Sequence, residues 1–243
     1  MTSRREESAA ILRELSRGLE PSREEISWTR MERFGFHHYE YIRVARLTFA
    51  KNENSGLASQ ELTGPASRLF NDRSTLQWQS GSTSSHTELT VLIAGEDPLE
   101  IAHDGYRLTG GVSEPFTSLT QVRTMLRTAD VALEMARHRT SSSSIVHVDW
   151  MRPHEWATAR LSANGDQVIA KRFIRRLELD NETLTTMQTH FSHEMDVAAT
   201  AQKLNVHENT VRYRLKKLEV ALGSSIHDAR TVADIVLALK LSL

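Results

Sequence analysis

The sequence predicts an α+β fold followed by an all-α C-terminal part, on three observations. Residues 41–49 and 88–94 are apolar in both phases of a two-residue alternation, as strands covered on both faces are. Residues 120–137 carry Val122, Met125, Leu126, Ala129, Leu133 and Ala136, the i, i+3, i+4, i+7 series of one helix face. From residue 167 onward every apolar pattern has helical period, broken by capping residues rather than by long loops.

Taken in order, Ile11, Leu12, Leu15 and Leu19 make a short amphipathic helix that Glu20-Pro21 stops. Ser22 followed by Glu25 has capping-box form and predicts a second helix through Ile26, Trp28 and Met31, ending near Gly35. The first strand has Ile42 and Val44 on one side and Ala45, Leu47 and Phe49 on the other. A run at residues 76–79, a Gly/Ser-rich turn and the run at 88–94 make a hairpin. After the helix at 120–137 and a serine-rich loop at 141–144, residues 145–148 read as a short buried strand. The helical part divides into 167–177, a helix capped by Asp180, a third capped by Asp196, a fourth beginning at His207 and a last one capped by Asp228.

Composition narrows the function classes. Cysteine is absent, which removes disulfides, thiolate metal sites and cysteine nucleophiles and fits a reducing compartment. The N-terminus is polar and no apolar run approaches membrane-spanning length, so a cytoplasmic protein without membrane contact is expected. The formal net charge is -1. A local positive stripe, rather than a basic chain, is what binding to phosphates requires.

Such a stripe stands at residues 197–219, VAATAQKLNVHENTVRYRLKKLE. A short alanine-bearing helix leads through Asn205-Val206 into a longer basic helix. Ala198 and Ala201 are small enough for two helices to cross closely, and Leu204, Val206, Val211, Leu215 and Leu218 supply an apolar wedge. The opposite face of the second helix, about residues 207–221, offers Asn209, Arg212, Tyr213 and Lys216, flanked by Thr210, Arg214 and Lys217. These are amide and guanidinium forks for base edges, with hydroxyls and cations for phosphates. Charges alone would describe any solvated helix face. Small residues, a tight turn and a base-competent second helix together predict a helix-turn-helix that binds double-stranded DNA.

Residues 184–243 resemble the C-terminal domain of the PucR/CdaR family of bacterial transcription regulators. The resemblance lies in Thr200-Ala201, Leu204, Val206-His207, the run from Asn209 to Leu215, Leu218-Glu219, Gly223 and Ala238-Leu239. It implies DNA contact by His207, Glu208, Asn209, Thr210, Arg212, Tyr213, Arg214, Lys216 and Lys217. Glu208 departs from the family pattern, which has a basic residue there. An acid at the start of a helix suits its dipole yet repels phosphate, so it either accepts from cytosine or weakens binding. Residues 41–150 resemble the degenerate GGDEF-like domain of the same family. An active cyclase has glycines and carboxylates in its hairpin for phosphates and magnesium. Here the turn is residues 81–86, Gly-Ser-Thr-Ser-Ser-His, and the pair Gly110-Gly111 leads into Val112-Ser113-Glu114-Pro115, so the resemblance implies a domain without catalysis.

The readings together predict an N-terminal helical segment at 1–38, a ferredoxin-like, degenerate GGDEF-type domain with an antiparallel sheet at 39–152, and a helical domain with the helix-turn-helix at 153–243. The expected protein is a sequence-specific regulator with no enzyme activity, no cofactor and no metal site. His193-Glu194 and His207-Glu208 have Val197 and Val211 where a zinc site needs histidine, and His37, His38 and His190 read as surface or cap residues. A homodimer is expected, since paired half-sites multiply specificity. A small-molecule effector could act on the middle domain. Family members commonly carry a further N-terminal sensor domain, for which about 40 residues are too few, so either the signal enters elsewhere or this is a short form. The competing expectation is a metabolite- or nucleotide-sensing module whose helical end binds protein.

Overall fold

The computed structural model describes residues 2–50, 69–70, 73–83, 86–96, 108–138, 144–163 and 167–242. The chain divides into two units, residues 1–159 and 160–243, with the boundary inside the helix α4 (Pro153–Ala163).

The first unit is built on a five-stranded sheet. Its strands are β1 (Ile42–Ala50), β2 (Thr75–Ser82), β3 (His86–Ala94), β4 (Leu108–Val112) and β5 (Ser144–His147), in the order β2-β3-β1-β4-β5. The alternation in β1 sets the layers. Ile42 and Val44 join one apolar cluster with Leu76 and Leu92, while Ala45, Leu47 and Phe49 join another with Leu89, Val91, Ile93, Leu108 and Val112. Both faces of β1 are therefore covered, as its sequence requires. The hairpin of β2 and β3 is antiparallel, with an irregularity between Gln79 and Gly81. Residues 84–85 of its turn, and residues 141–143 of the serine-rich loop before β5, lie outside the described residues.

The expectation of an antiparallel sheet needs one correction. Three pairings are antiparallel, but β4 and β5 run parallel, Gly110 opposite Ile145 and Gly111 opposite Val146. The cause is the connection. The helix α3 (Val122–Arg137) returns the chain to the edge from which it left, as a parallel pair demands. Gly111 lets that helix come close: a Cβ there would lie 2.1 Å from the Ala129 carbonyl oxygen and 2.1 Å from the Leu133 nitrogen. The sheet is mixed.

The N-terminal helices belong to the same core. In α1 (Thr2–Arg17), Ile11, Leu12 and Leu15 are buried, and α2 (Glu24–Glu32) adds Trp28 and Met31 to the cluster that includes Val122, Met125 and Ala129 of α3. Side chains from residues 1–38 and from the sheet thus contribute to one apolar cluster. Two local expectations fail. No side chain caps α2, because a 3-10 turn at Pro21–Arg23 precedes it, and Glu25 instead accepts from the Tyr39 hydroxyl at 2.9 Å. Ile26, placed on the apolar stripe, is exposed.

A buried cation ties the ends of the strands together. Arg43 of β1 donates to Asp149 at 2.7 Å and to the Ser113 carbonyl oxygen at 2.9 Å, and it also reaches the carbonyl of Glu96. Enclosing a guanidinium is tolerable only with this number of acceptors.

In the second unit, the α5 helix (Gln167–Arg176) buries Ala170 and packs Phe173 and Ile174 against Ala238 and Leu241 of the last helix, α9 (Ala229–Ser242). Between them lie α6 (Asn181–Ser192), α7 (Val197–Leu204) and α8 (Glu208–Leu222). The capping residues expected from sequence act as such. Asp180 accepts from the Thr183 backbone N–H at 2.7 Å, Asp196 from that of Ala199 at 2.8 Å, and Asp228 from that of Thr231 at 3.0 Å. Among the described residues no helix is long and apolar enough to cross a membrane.

Candidate nucleic-acid interface

The α7 and α8 helices meet through a turn that the sequence dictates residue by residue. Asn205 adopts φ +52°, in the left-handed region that an asparagine tolerates better than most residues. Its N–H and that of Val206 satisfy carbonyls of the last turn of α7, at 3.2 Å to Gln202 and 3.0 Å to Ala201. His207 then caps α8, its Nδ1 accepting from the Asn209 N–H at 3.1 Å. The α8 helix stops at Gly223, where φ is +68°.

The crossing is locked from one side only. Val211, Leu215 and Leu218 are buried on α8 and meet Ala201 of α7, Met187 of α6 and Ile235 and Leu239 of α9. Val206 packs on this cluster. Ala198, expected at the crossing, is exposed, so Ala201 alone brings small volume to the contact. Leu204 is half-buried.

Behind the turn lies a polar contact that sequence reasoning missed. His190 of α6 is 1% exposed, and its Nδ1 lies 3.1 Å from the Thr200 hydroxyl, which itself donates to the Asp196 carbonyl. With the hydroxyl proton so used, Nδ1 carries the hydrogen. This histidine fastens the start of α7 to α6 and is neither the surface nor the cap residue expected. Burial pushes the imidazole below its ordinary value of 6.5, opposed by hydrogen bonding to the Asp196 backbone carbonyl and helped by nearby His227. The unfolded chain therefore takes up the proton first as pH falls. Stability of this unit is expected to decline below pH 6.5 and to level off beneath the folded value. Thermal melts of wild type and His190→Gln at about pH 7.5 and about pH 5.5 check this; an equal pH response in both would refute it.

The outward face of α8 carries the residues singled out from the sequence. Asn209, Arg212, Tyr213, Lys216 and Lys217 are exposed, Tyr213 at 72%, while Glu208, Thr210 and Arg214 are half-buried. Every cation of the helix has an internal acidic partner. Arg212 meets Glu208 at 2.8 Å and Lys216 meets Glu219 at 3.2 Å. Arg214 pairs with Glu182 and reaches the Thr186 hydroxyl at 3.4 Å, and Lys217 pairs with Asp180. The Lys217 ammonium holds the Asp180 carboxyl well below the usual range, together with the hydrogen bonds from Thr183. Arg214 and Lys217 are thus turned toward α6 and its cap, whereas Asn209, Arg212, Tyr213 and Lys216 face outward. Glu219 fastens the turn after α8, accepting from the Ile226 N–H at 3.2 Å and the Ser225 hydroxyl at 3.1 Å.

Known proteins bear on these helices. The family model of the PucR C-terminal helix-turn-helix domain matches residues 183–241. The purine catabolism regulatory protein of Bacillus subtilis (strain 168) is 39% identical over 62 residues, 26% of this chain, and the chain spans 12% of that protein's length. A crystal structure of a regulator of polyketide synthase expression from Bifidobacterium adolescentis covers 97% of this chain and 91% of that one, at 20% identity and a TM-score of 0.40, too loose a likeness to bear on function. The matched segment coincides with α6 to α9 and contains the caps, the left-handed turn and the apolar wedge. What these comparisons show is a C-terminal segment, residues 183–241, similar to the PucR C-terminal helix-turn-helix domain.

Proposed function

We propose that this chain is a sequence-specific transcription regulator that lays α8 into the major groove of double-stranded DNA. The observation that carries this reading is the two-sided character of α8: Val211, Leu215 and Leu218 are buried, while Asn209, Arg212, Tyr213 and Lys216 stand on the open side. A helix braced in this way presents amide and guanidinium groups to base edges at a fixed angle. His207 and Thr210, at the first turn, are assigned to phosphate. Glu208 engages Arg212, so its acid orients the guanidinium instead of meeting the backbone. Arg214 and Lys217 hold the helix in place.

The first unit is assigned to dimerisation or relay of a signal, without catalysis, as a degenerate GGDEF-like domain of ferredoxin-like type. Support comes from the run β2-β3-β1-β4, in which β1 is antiparallel to both of its neighbours, and from a hairpin turn without acidic residues. The division into segments 1–38, 39–152 and 153–243, a homodimer, a small-molecule effector and a cytoplasmic location are parts of the same proposal.

Selection of duplexes from a random pool tests the reading and yields the operator. Arg212→Ala is expected to reduce discrimination between the selected and a scrambled duplex by roughly tenfold or more, the value of one bidentate base contact. Lys217→Ala is expected to lower thermal stability and leave discrimination unchanged. Failure of wild type to bind any duplex at low salt would overturn the reading.

A further inference from the structure

The α5 helix carries a basic surface outside residues 183–241. Lys171, Arg172, Arg175 and Arg176 are all exposed and, among the described residues, none of the four has a carboxylate partner. With Val168 and Glu178 they line a groove of about 360 Å³. One acid against four bases leaves it strongly positive. The opposite face, Ala170, Phe173, Ile174 and Leu177, is committed to the core, so the groove is held by packing.

We infer that this groove is a second DNA contact, which grips the phosphate backbone beside the base pairs that α8 reads; the inference rests on the DNA-binding reading proposed above. Three facts point to phosphate. First, the cations of α8 are all engaged by carboxylates of the chain, so the electrostatic attraction that nucleic acid exploits has to come from cations without such partners. Second, residues 171–176 span about 7.5 Å along the helix axis, about the axial rise of two phosphates on one strand. Third, the groove is tethered to α8 by a short stretch of chain. Asp180, which takes Lys217 of α8, stands four residues beyond Arg176, no more than about 14 Å of chain. An anionic lipid surface fits less well, because the apolar face of α5 is consumed by the core and only Val168 and Ile169 remain exposed beside the cations.

The test uses the full chain with Lys171, Arg172, Arg175 and Arg176 all changed to Gln, and a milder Arg172→Gln/Arg175→Gln pair. Circular dichroism confirms that each is folded. Binding is titrated against salt with a duplex selected by wild type and with a scrambled duplex of the same composition. The fourfold variant is expected to lose affinity for both duplexes equally, by roughly tenfold to a hundredfold, and to lower the slope of log affinity against log salt by about 3. The pair should give about half that change in slope, and the ratio between duplexes should not move. Unchanged slopes in both variants, with wild-type binding intact, overturn the α5 contact alone; this includes the case in which α5 proves to direct the chain to phosphatidylglycerol vesicles. Wild type that ignores both duplexes overturns the reading of α8 as well.

Discussion

Replacing Gly111 by Ala is expected to destabilise the first unit by about 3 kcal/mol or more, since overpacking against an immovable group lies at the upper end of such costs. The added Cβ would sit 2.1 Å from two backbone atoms of α3, and neither can yield without moving the helix. Its neighbour provides the control. A Cβ on Gly110 would meet the Leu47 Cδ2 at 2.7 Å and the Ile145 Cδ1 at 2.9 Å, ends of side chains that can turn aside. Gly110→Ala should therefore cost about 1–2 kcal/mol. Urea unfolding followed by circular dichroism compares the two, and equal midpoints would show that α3 does not ride on β4 as described.

Leu218→Ala should have a comparable effect on the second unit. Leu218 is fully buried where α8 meets the other helices, and removing its isobutyl group leaves a cavity costing about 2–5 kcal/mol. Val220, two residues on, is 75% exposed, and Val220→Ala should change stability by less than about 0.5 kcal/mol. Loss of the cooperative thermal transition in the first variant and its retention in the second is the expected pair of results. A Leu218→Ala protein that melts like wild type would mean that α8 is not anchored through this face.

These contrasts also mark how far the sequence could be read. The layers around β1 were legible because strand alternation has no other outlet once both phases are apolar. The caps at Asp180, Asp196 and Asp228 were legible because a side-chain oxygen before a helix has a local task. What escaped was decided by distant partners. Nothing in the run around Gly111 reveals that α3 returns to make a parallel edge, and nothing near Ser22 shows that a 3-10 turn displaces the capping box. His190 looked like a surface residue since its partners, Thr200 and Asp196, belong to the next helix. The outward placement of Asn209, Arg212, Tyr213 and Lys216 was legible by type and spacing, but the direction taken by Arg214 and Lys217 depends on Glu182 and Asp180, some thirty residues earlier in the chain.

That arrangement of charges shapes how the protein would search for its target. Each cation of α8 meets an approaching duplex already occupied, and a phosphate must evict a carboxylate to claim it. Under the DNA-binding reading proposed above, the exchange on an arbitrary stretch is close to even, so α8 adds little there to the hold of the α5 cations. Where base edges accept the amide of Asn209 and the guanidinium of Arg212 as well, the exchange becomes one-sided. Under that reading the internal acids act as a filter against α8 lingering at the wrong address.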